Sequence, residues 1–269
     1  MTIRDLVFLK QPDTTPDYME LVFNTALAPT NTIIVTPREI GPQGVWVDWG
    51  DGAVSPTARL SMNALSHTYS VAGVYTVRIY GDLVGYGSGI YSGGVPYGSK
   101  LTRVNKFNSA TKKLDYAFAQ CINLQFVPDS LPVGVTSLRA TFGSCSPIAT
   151  QNIANWDTSS VVSMQSTFAM CPFNVDISNW NTSDVITMSG MFWRSTAFNQ
   201  NISTWNVSKV TNMHSMFLEA WAFDQNLSSW TTKLSDHPTD FSLRANQNFA
   251  DNTNNLKPFL ADGVTRIAT

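Results

Sequence analysis

Charge is the scarcest commodity in this 269-residue sequence: Asp, Glu, Lys and Arg together make up 13% of it, about half of the roughly 25% usual for globular chains. The net charge is only −2 and no Lys/Arg cluster occurs anywhere. A phosphate backbone would find no basic footprint, so nucleic acid is not an expected partner. Long apolar runs are also missing. No stretch approaches the roughly 18 residues needed to cross a bilayer, and membrane insertion is not expected. The opening Met1–Lys10 holds Asp5 inside its one short apolar run, with no small-residue cleavage site behind it, so a secretory leader is not expected either. Catalytic vocabulary is equally thin. There are three histidines and three cysteines, and the Gly-x-Ser-x-Gly elbow, the His-Glu-x-x-His zinc motif and a phosphate-cradling loop are all absent. No pair of suitably placed carboxylates suggests glycoside hydrolysis. The expectation is a protein that is not an enzyme and uses no cofactor and no metal. Ser, Thr and Asn fill the space left by charge, predicting a polar, largely neutral surface.

Two patterns are present. From Tyr18 to Ile79, short apolar or alternating runs (Met19–Phe23, Thr32–Val35, Val45–Trp49, Val74–Ile79) are separated by Pro and Gly, the spacing of a β-sandwich. Trp46-Val47-Asp48-Trp49 leads into Gly50-Asp51-Gly52, whose glycines permit a tight hairpin and whose Asp51 can bond local amides. His67-Thr68-Tyr69 and Gly73-Val74-Tyr75-Thr76-Val77 follow. Trp-Gly-Asp-Gly with these two later motifs resembles the PKD-type immunoglobulin-like domain over about residues 17 to 82. The resemblance implies a spacer or docking module, with Trp49, Asp51 and Tyr69 as structural residues and Asp48 and His67 making turn and strand-end hydrogen bonds.

The second pattern is a repeat. Trp156, Trp180, Trp205 and Trp230 are 24, 25 and 25 residues apart. Phe118, Phe142, Phe168, Phe192, Phe217 and Phe241 follow at intervals of 24, 26, 24, 25 and 24, which marks six units. Leu114, Leu138, Met164, Met188 and Met213 stand four residues before the first five phenylalanines, a spacing that predicts one face of a short helical turn. Val135, Val161, Val185 and Val210 add a further ladder. Ile153, Ile177, Ile202 and Leu227, each three residues before a Trp, predict a short strand. Such units bury their apolar side only by stacking. Val-x-x-Met-x-x-Met-Phe followed by Phe-Asn-Gln-Asn-Ile-Ser-x-Trp, as in Val185–Trp205, resembles the repeats of BspA-type (mycoplasma-lipoprotein-type) leucine-rich-repeat surface proteins. Earlier units around Tyr116–Cys121 and Pro132–Leu138 are similar to the treponemal variety. The likeness covers about residues 101 to 250 and implies adhesion or recognition rather than catalysis, with Phe168, Phe192, Phe217, Trp180 and Trp205 structural.

The expected organisation is mainly β: an N-terminal immunoglobulin-like β-sandwich over 1–82, a Gly/Tyr-rich junction loop over 83–100, a leucine-rich-repeat-type solenoid with short helical turns over 101–250, and a C-terminal cap or tail over 251–269. Cys121, Cys145 and Cys171 share a slot that holds Ser195 and Ala220 in later units, so that slot calls for a small buried group, although neighbours in register could come within disulfide reach. His214 stands where other units have Gln165 and Ser189, and is expected to be an exposed helix residue. Four Asn-x-Ser/Thr sites beginning at Asn181, Asn201, Asn206 and Asn226 recur because the repeat recurs.

The candidate binding residues are of two kinds. Tyr86, Tyr91 and Tyr97 lie in the junction segment, which reads equally as a binding loop and as a flexible hinge or long hairpin. Ser178, Ser203 and Ser228 are expected to form a hydroxyl row on the outer strand face. The expected function is a non-catalytic structural and surface-binding protein, a bacteriophage virion component displayed on head or tail, oligomeric or assembly-bound and contacting other virion proteins or a host-surface glycan or protein. The alternative is a bacterial cell-surface or secreted adhesin with the same modules.

Overall fold

A computed structural model describes residues 17–55, 64–87, 97–146, 151–234, 238–250, 257–258 and 267. They are mainly β, with antiparallel sheets at the N-terminal end. Strands β1 (Tyr18–Asn24), β3 (Pro37–Asp48), β5 (Val74–Tyr86) and β6 (Leu101–Lys106) form one sheet in the order β3-β5-β1-β6, while β2 (Thr32–Val35) pairs with β4 (Leu65–Thr68). The period-2 pattern is what makes these strands. Met19, Leu21 and Phe23 of β1 and Val77, Ile79 and Leu83 of β5 all turn to the interior. Ile33 and Val35 of β2 join the same apolar cluster.

The hairpin after β3 closes as its glycines require. Gly50 and Gly52 have φ of +83° and +94°, and a Cβ on Gly50 would lie 2.4 Å from the Thr76 carbonyl oxygen. Asp48 Oδ1 accepts from the Gly50 amide and Asp51 Oδ1 from that of Ala53, both at 3.0 Å. Buried Trp49 and Tyr69 are tied together by the Tyr69 hydroxyl, which donates to the Trp49 carbonyl at 2.7 Å.

From residue 113 onward the chain coils in register. Parallel bridges run Gly85 to Lys113 to Ser137 to Ser163 to Thr187 to Asn212, one per unit. Behind them the phenylalanines stack, with ring centroids 5.7 Å apart for Phe118/Phe142 and Phe142/Phe168, 6.0 Å for Phe168/Phe192 and 5.5 Å for Phe192/Phe217. Phe118, Phe142, Phe168, Phe192 and Phe217 are completely buried; Phe241 is buried too, but it takes the place of Met191 and Met216, accepting from the Phe217 amide, and meets the Phe217 ring edge-on at 5.4 Å. Each ladder tryptophan donates its indole N–H to a main-chain oxygen of the preceding coil: Trp156 to Pro128, Trp180 to Ile153, Trp205 to Ile177 and Trp230 to Ile202, at 2.8–3.2 Å. Buried indole and backbone thereby satisfy each other.

The expected short helical turns are corrected by the backbone. Residues 114–121 and their equivalents form consecutive reverse turns, closed by bonds such as Ala117 N–H to Leu114 O and Cys121 N–H to Phe118 O. Alternate amides leave the coil altogether: those of Leu114, Tyr116, Phe118 and Gln120 donate to Ser137, Arg139, Thr141 and Gly143 of the next. The turns need left-handed residues at Tyr116 and Gln120, Ala140 and Ser144, Ser166 and Met170, and Gly190 and Arg194. A four-residue apolar spacing fits two successive turns as well as one helical turn. The expected Ile-x-x-Trp strand is likewise a turn, with Trp180 N–H bonded to Ile177 O at 3.0 Å and Trp205 N–H to Ile202 O at 3.1 Å. Strand alternation would send residues three apart to opposite faces, whereas the turn buries both.

The two halves interlock where a junction loop was expected. β5 continues through Tyr86, and β6 pairs with β1 before bridging to Phe126 of the first coil. Residues 83–86 and 101–106 therefore belong to the N-terminal sheet, whose strands cover the otherwise open edge of the stack. Gly87 (φ +144°) crosses so closely that a Cβ there would sit 1.8 Å from the Asp115 carbonyl oxygen. At the other end Phe249, on the short helix α1 (Gln247–Ala250), meets Phe217 and Phe223 edge-on at 5.3 and 4.9 Å and ends the parallel stacking.

Candidate functional site

With aromatic ladders inside, what a partner can meet is the set of rows that the coils repeat on their outside. Along the Ile-x-x-Trp turn, Asp176, Asn201 and Asn226 are exposed, and each side-chain oxygen accepts from the amide two residues on: Ser178 at 2.9 Å, Ser203 at 3.0 Å, Ser228 at 2.9 Å. Asn and Asp adopt such turns because their short side chains reach their own backbone. Ser178, Ser203 and Ser228 give their amides to these turns and are half-buried. The exposed row lies one residue on, at Asn179, Thr204 and Ser229. Thr204 and Ser229 hydroxyls donate back to the Ser178 and Ser203 carbonyls at 3.3 and 2.9 Å, fixing the row's spacing. Asp157, Asn181 and Asn206, just after the tryptophans, make a parallel row of identical Asx turns to Ser159, Ser183 and Ser208. The hydrogen bond with Ser159 holds the Asp157 carboxyl below its usual range, and the Ser178 amide does so for Asp176. Both are charged at neutral pH, and Asn replaces them in the following coils.

The tyrosines do not gather into one loop. Tyr86 is the last residue of β5 and is 4% exposed, its ring 6.3 Å from Phe118, because the strand carries it under the first coil. Tyr97 opens a short 3-10 turn, Tyr97–Lys100, and Tyr91 lies outside the described residues. Trp49, Tyr69, Phe168, Phe192, Phe217, Trp180 and Trp205 are buried, and Asp51 lies in the hairpin with its Oδ2 2.7 Å from His67 Nε2. Partial burial works against the charged Asp51 carboxyl, but bonds from His67 and the Ala53 amide outweigh it and keep its pKa low.

Cys121, Cys145 and Cys171 are buried thiols in a slot that makes its own bond between coils. Cys145 Sγ points to the Phe118 carbonyl at 2.8 Å, and Ser195 Oγ donates to that of Cys171 at 2.7 Å. Burial pushes the Cys121 and Cys145 thiols up, far from the range of a reactive thiolate. His214 is exposed but lies in a turn rather than a helix, its Nδ1 accepting from the Thr239 amide at 2.8 Å. Among the described residues, no three His, Cys, Asp or Glu cluster as metal ligands would, and no helix is long and apolar enough to cross a membrane.

Two features escaped sequence reasoning. Phe173, Phe198 and Phe223 form a further stacked ladder with centroids 5.4 and 5.8 Å apart, legible in principle from their 25-residue spacing. Arg194, Glu219 and Arg244 form an ion-paired row across three coils, which has no counterpart in the earlier units.

Residues 136–255 match a family described as "Mycoplasma protein of unknown function, DUF285", consistent with BspA-like repeat proteins. Neither the curated proteins nor the solved structures compared with the chain include a match.

Proposed function

We propose that this chain is a non-catalytic surface-binding protein in which a PKD-type immunoglobulin-like β-sandwich carries a leucine-rich-repeat-type solenoid of the BspA kind, and that the solenoid's neutral Asn/Ser/Thr rows meet a glycan or another uncharged polar surface. The observation that carries this reading is the division of labour within each coil. Apolar ladders and indole hydrogen bonds are spent on stacking, while Asn179, Thr204 and Ser229, with Asn181, Asn201, Asn206 and Asn226, recur outward in register without being needed for the core. A row of amides and hydroxyls repeated from coil to coil can hydrogen-bond a periodic, neutral ligand. The match of residues 136–255 to DUF285, which is consistent with BspA-like repeat proteins, supports display on a surface.

The setting is either a bacteriophage virion, on head or tail and in contact with other virion proteins, or the outside of a bacterial cell. Purified particles and envelope fractions probed with one antibody separate the two. Binding itself is tested on a glycan array with the full chain and with Thr204→Lys and Ser229→Lys variants across a salt series. Binding that is lost in the variants and weakly salt-dependent supports the neutral rows. Binding unchanged in both variants would sink this reading.

A further inference from the structure

A second edge of the coils has a different chemistry. The residue two after the ladder phenylalanine is left-handed in Met170, Arg194 and Glu219, with φ of 57°, 53° and 57°. The Arg194 amide donates to the Leu218 carbonyl and that of Glu219 to the Leu243 carbonyl, which fixes these side chains in neighbouring coils. Arg194 Nε lies 2.6 Å from Glu219 Oε2, and Arg244 Nη1 lies 3.4 Å from Oε1 of the same carboxylate. The row thus holds two guanidiniums to one carboxylate, with Asp240 in the adjoining row, four residues before Arg244. The Arg244 side chain is 74% exposed against 13% for that of Glu219. The carboxylate is covered while its arginine faces water.

Apolar surface lies around these charges. Trp221, two residues after Glu219, is 60% exposed, and Met170 and Leu243 are each 41% exposed. Stacking does not ask for a tryptophan at position 221: the equivalent residues four after the phenylalanine are Pro172 and Thr196. Trp221 follows Glu219 by two residues, Leu243 precedes Arg244, and Met170 lies one coil before Arg194; Trp, Met and Arg are the residue types that protein interfaces enrich at their centres, and a guanidinium already held by a carboxylate can take a second one with little further ordering.

We infer that this edge docks a protein partner, by a segment that sets a carboxylate against Arg244 and an apolar side chain against Trp221. The inference stands apart from the neutral rows, which lie on another edge, so the two can fail separately. The probes are two capped peptides, one alternating Glu with Leu and its counterpart alternating Lys with Leu, titrated into the full chain while Trp fluorescence and anisotropy are followed. The acidic peptide is expected to bind, to weaken as salt is raised, and to lose about tenfold or more in affinity with Trp221→Ser and with Arg244→Glu, since losing one partner of a charge pair at an interface is costly. Arg244→Glu is expected to gain affinity for the Lys peptide. Both sites are exposed, so folded variants are expected and circular dichroism checks them. The inference is overturned if neither peptide binds at millimolar concentration, if both bind alike, or if folded variants bind as wild type does. If the acidic peptide is ignored but a glycan of the array is lost with Trp221→Ser, the edge is a sugar platform instead.

Discussion

Truncating Phe192 to alanine removes an interior rung of the phenylalanine ladder. Its ring is fully buried, 4.0 Å from that of Phe198, 5.5 Å from Phe217, 6.0 Å from Phe168 and 6.3 Å from Trp205. Neighbouring coils are pinned by backbone bonds, so they cannot move in to fill the space, and the cost should lie in the upper part of the roughly 3–5 kcal/mol range for buried Phe→Ala changes, about 4 kcal/mol. If the chain melts as one unit, about 2 °C per kcal/mol at this size gives a loss near 8 °C. Stacked repeats can instead open locally, since each mainly feels its neighbours. Thermal melting is therefore paired with amide exchange of Met188, Gly190 and Phe192, which donate to Asn212, His214 and Met216 of the next coil. All three should lose protection. Trp221→Ala, on the same stack but 60% exposed, serves as the control and should stay within about 0.5 kcal/mol of wild type. Equal stability of Phe192→Ala and Trp221→Ala would refute the ladder as the source of the stack's cohesion.

Gly87→Ala should destabilise the join between sheet and stack more than any surface change, because its Cβ would meet the Asp115 oxygen at 1.8 Å; a wild-type melting curve would show that the crossing is not as close as described. Asp51 has its pKa lowered in the folded chain despite the desolvation that opposes it, so its contribution is present above the unfolded value of about 3.9 and is lost as pH falls through the folded one. The stability difference between wild type and Asp51→Asn should accordingly shrink as pH falls below about 4, and a difference that grew between pH 5 and 3 would contradict the assignment. The thiols of Cys121 and Cys145, raised by burial, should resist alkylation at pH 8 until the chain is unfolded. Reductant should leave the melting temperature unchanged; a large loss together with a Cys145–Cys171 bridged peptide in the mass spectrum would refute this.

Periodicity is what the sequence by itself determined. Phenylalanines and tryptophans recurring every 24 to 26 residues must meet once the chain coils in register, because stacking turns a sequence interval directly into a contact, and the same logic marked the Cys/Ser/Ala slot as small and buried. The Gly50-Asp51-Gly52 hairpin was legible for a similarly local reason: positive φ and Asx bonding involve only neighbours. The side each residue takes within a coil was decided by the tertiary structure. Left-handed backbone sits at Tyr116, Gln120, Arg194 and Glu219, none of which advertises it as glycine would; the bonds that hold these conformations come from the next coil, about 25 residues away. So a helical turn became two reverse turns, a strand became an Asx turn, and the exposed row moved from Ser178, Ser203 and Ser228 to Asn179, Thr204 and Ser229. The burial of Tyr86 beneath the first coil and the sharing of Glu219 by Arg194 and Arg244 follow from the same fact: long-range register, not local preference, sets the conformation of each turn and therefore the surface it presents.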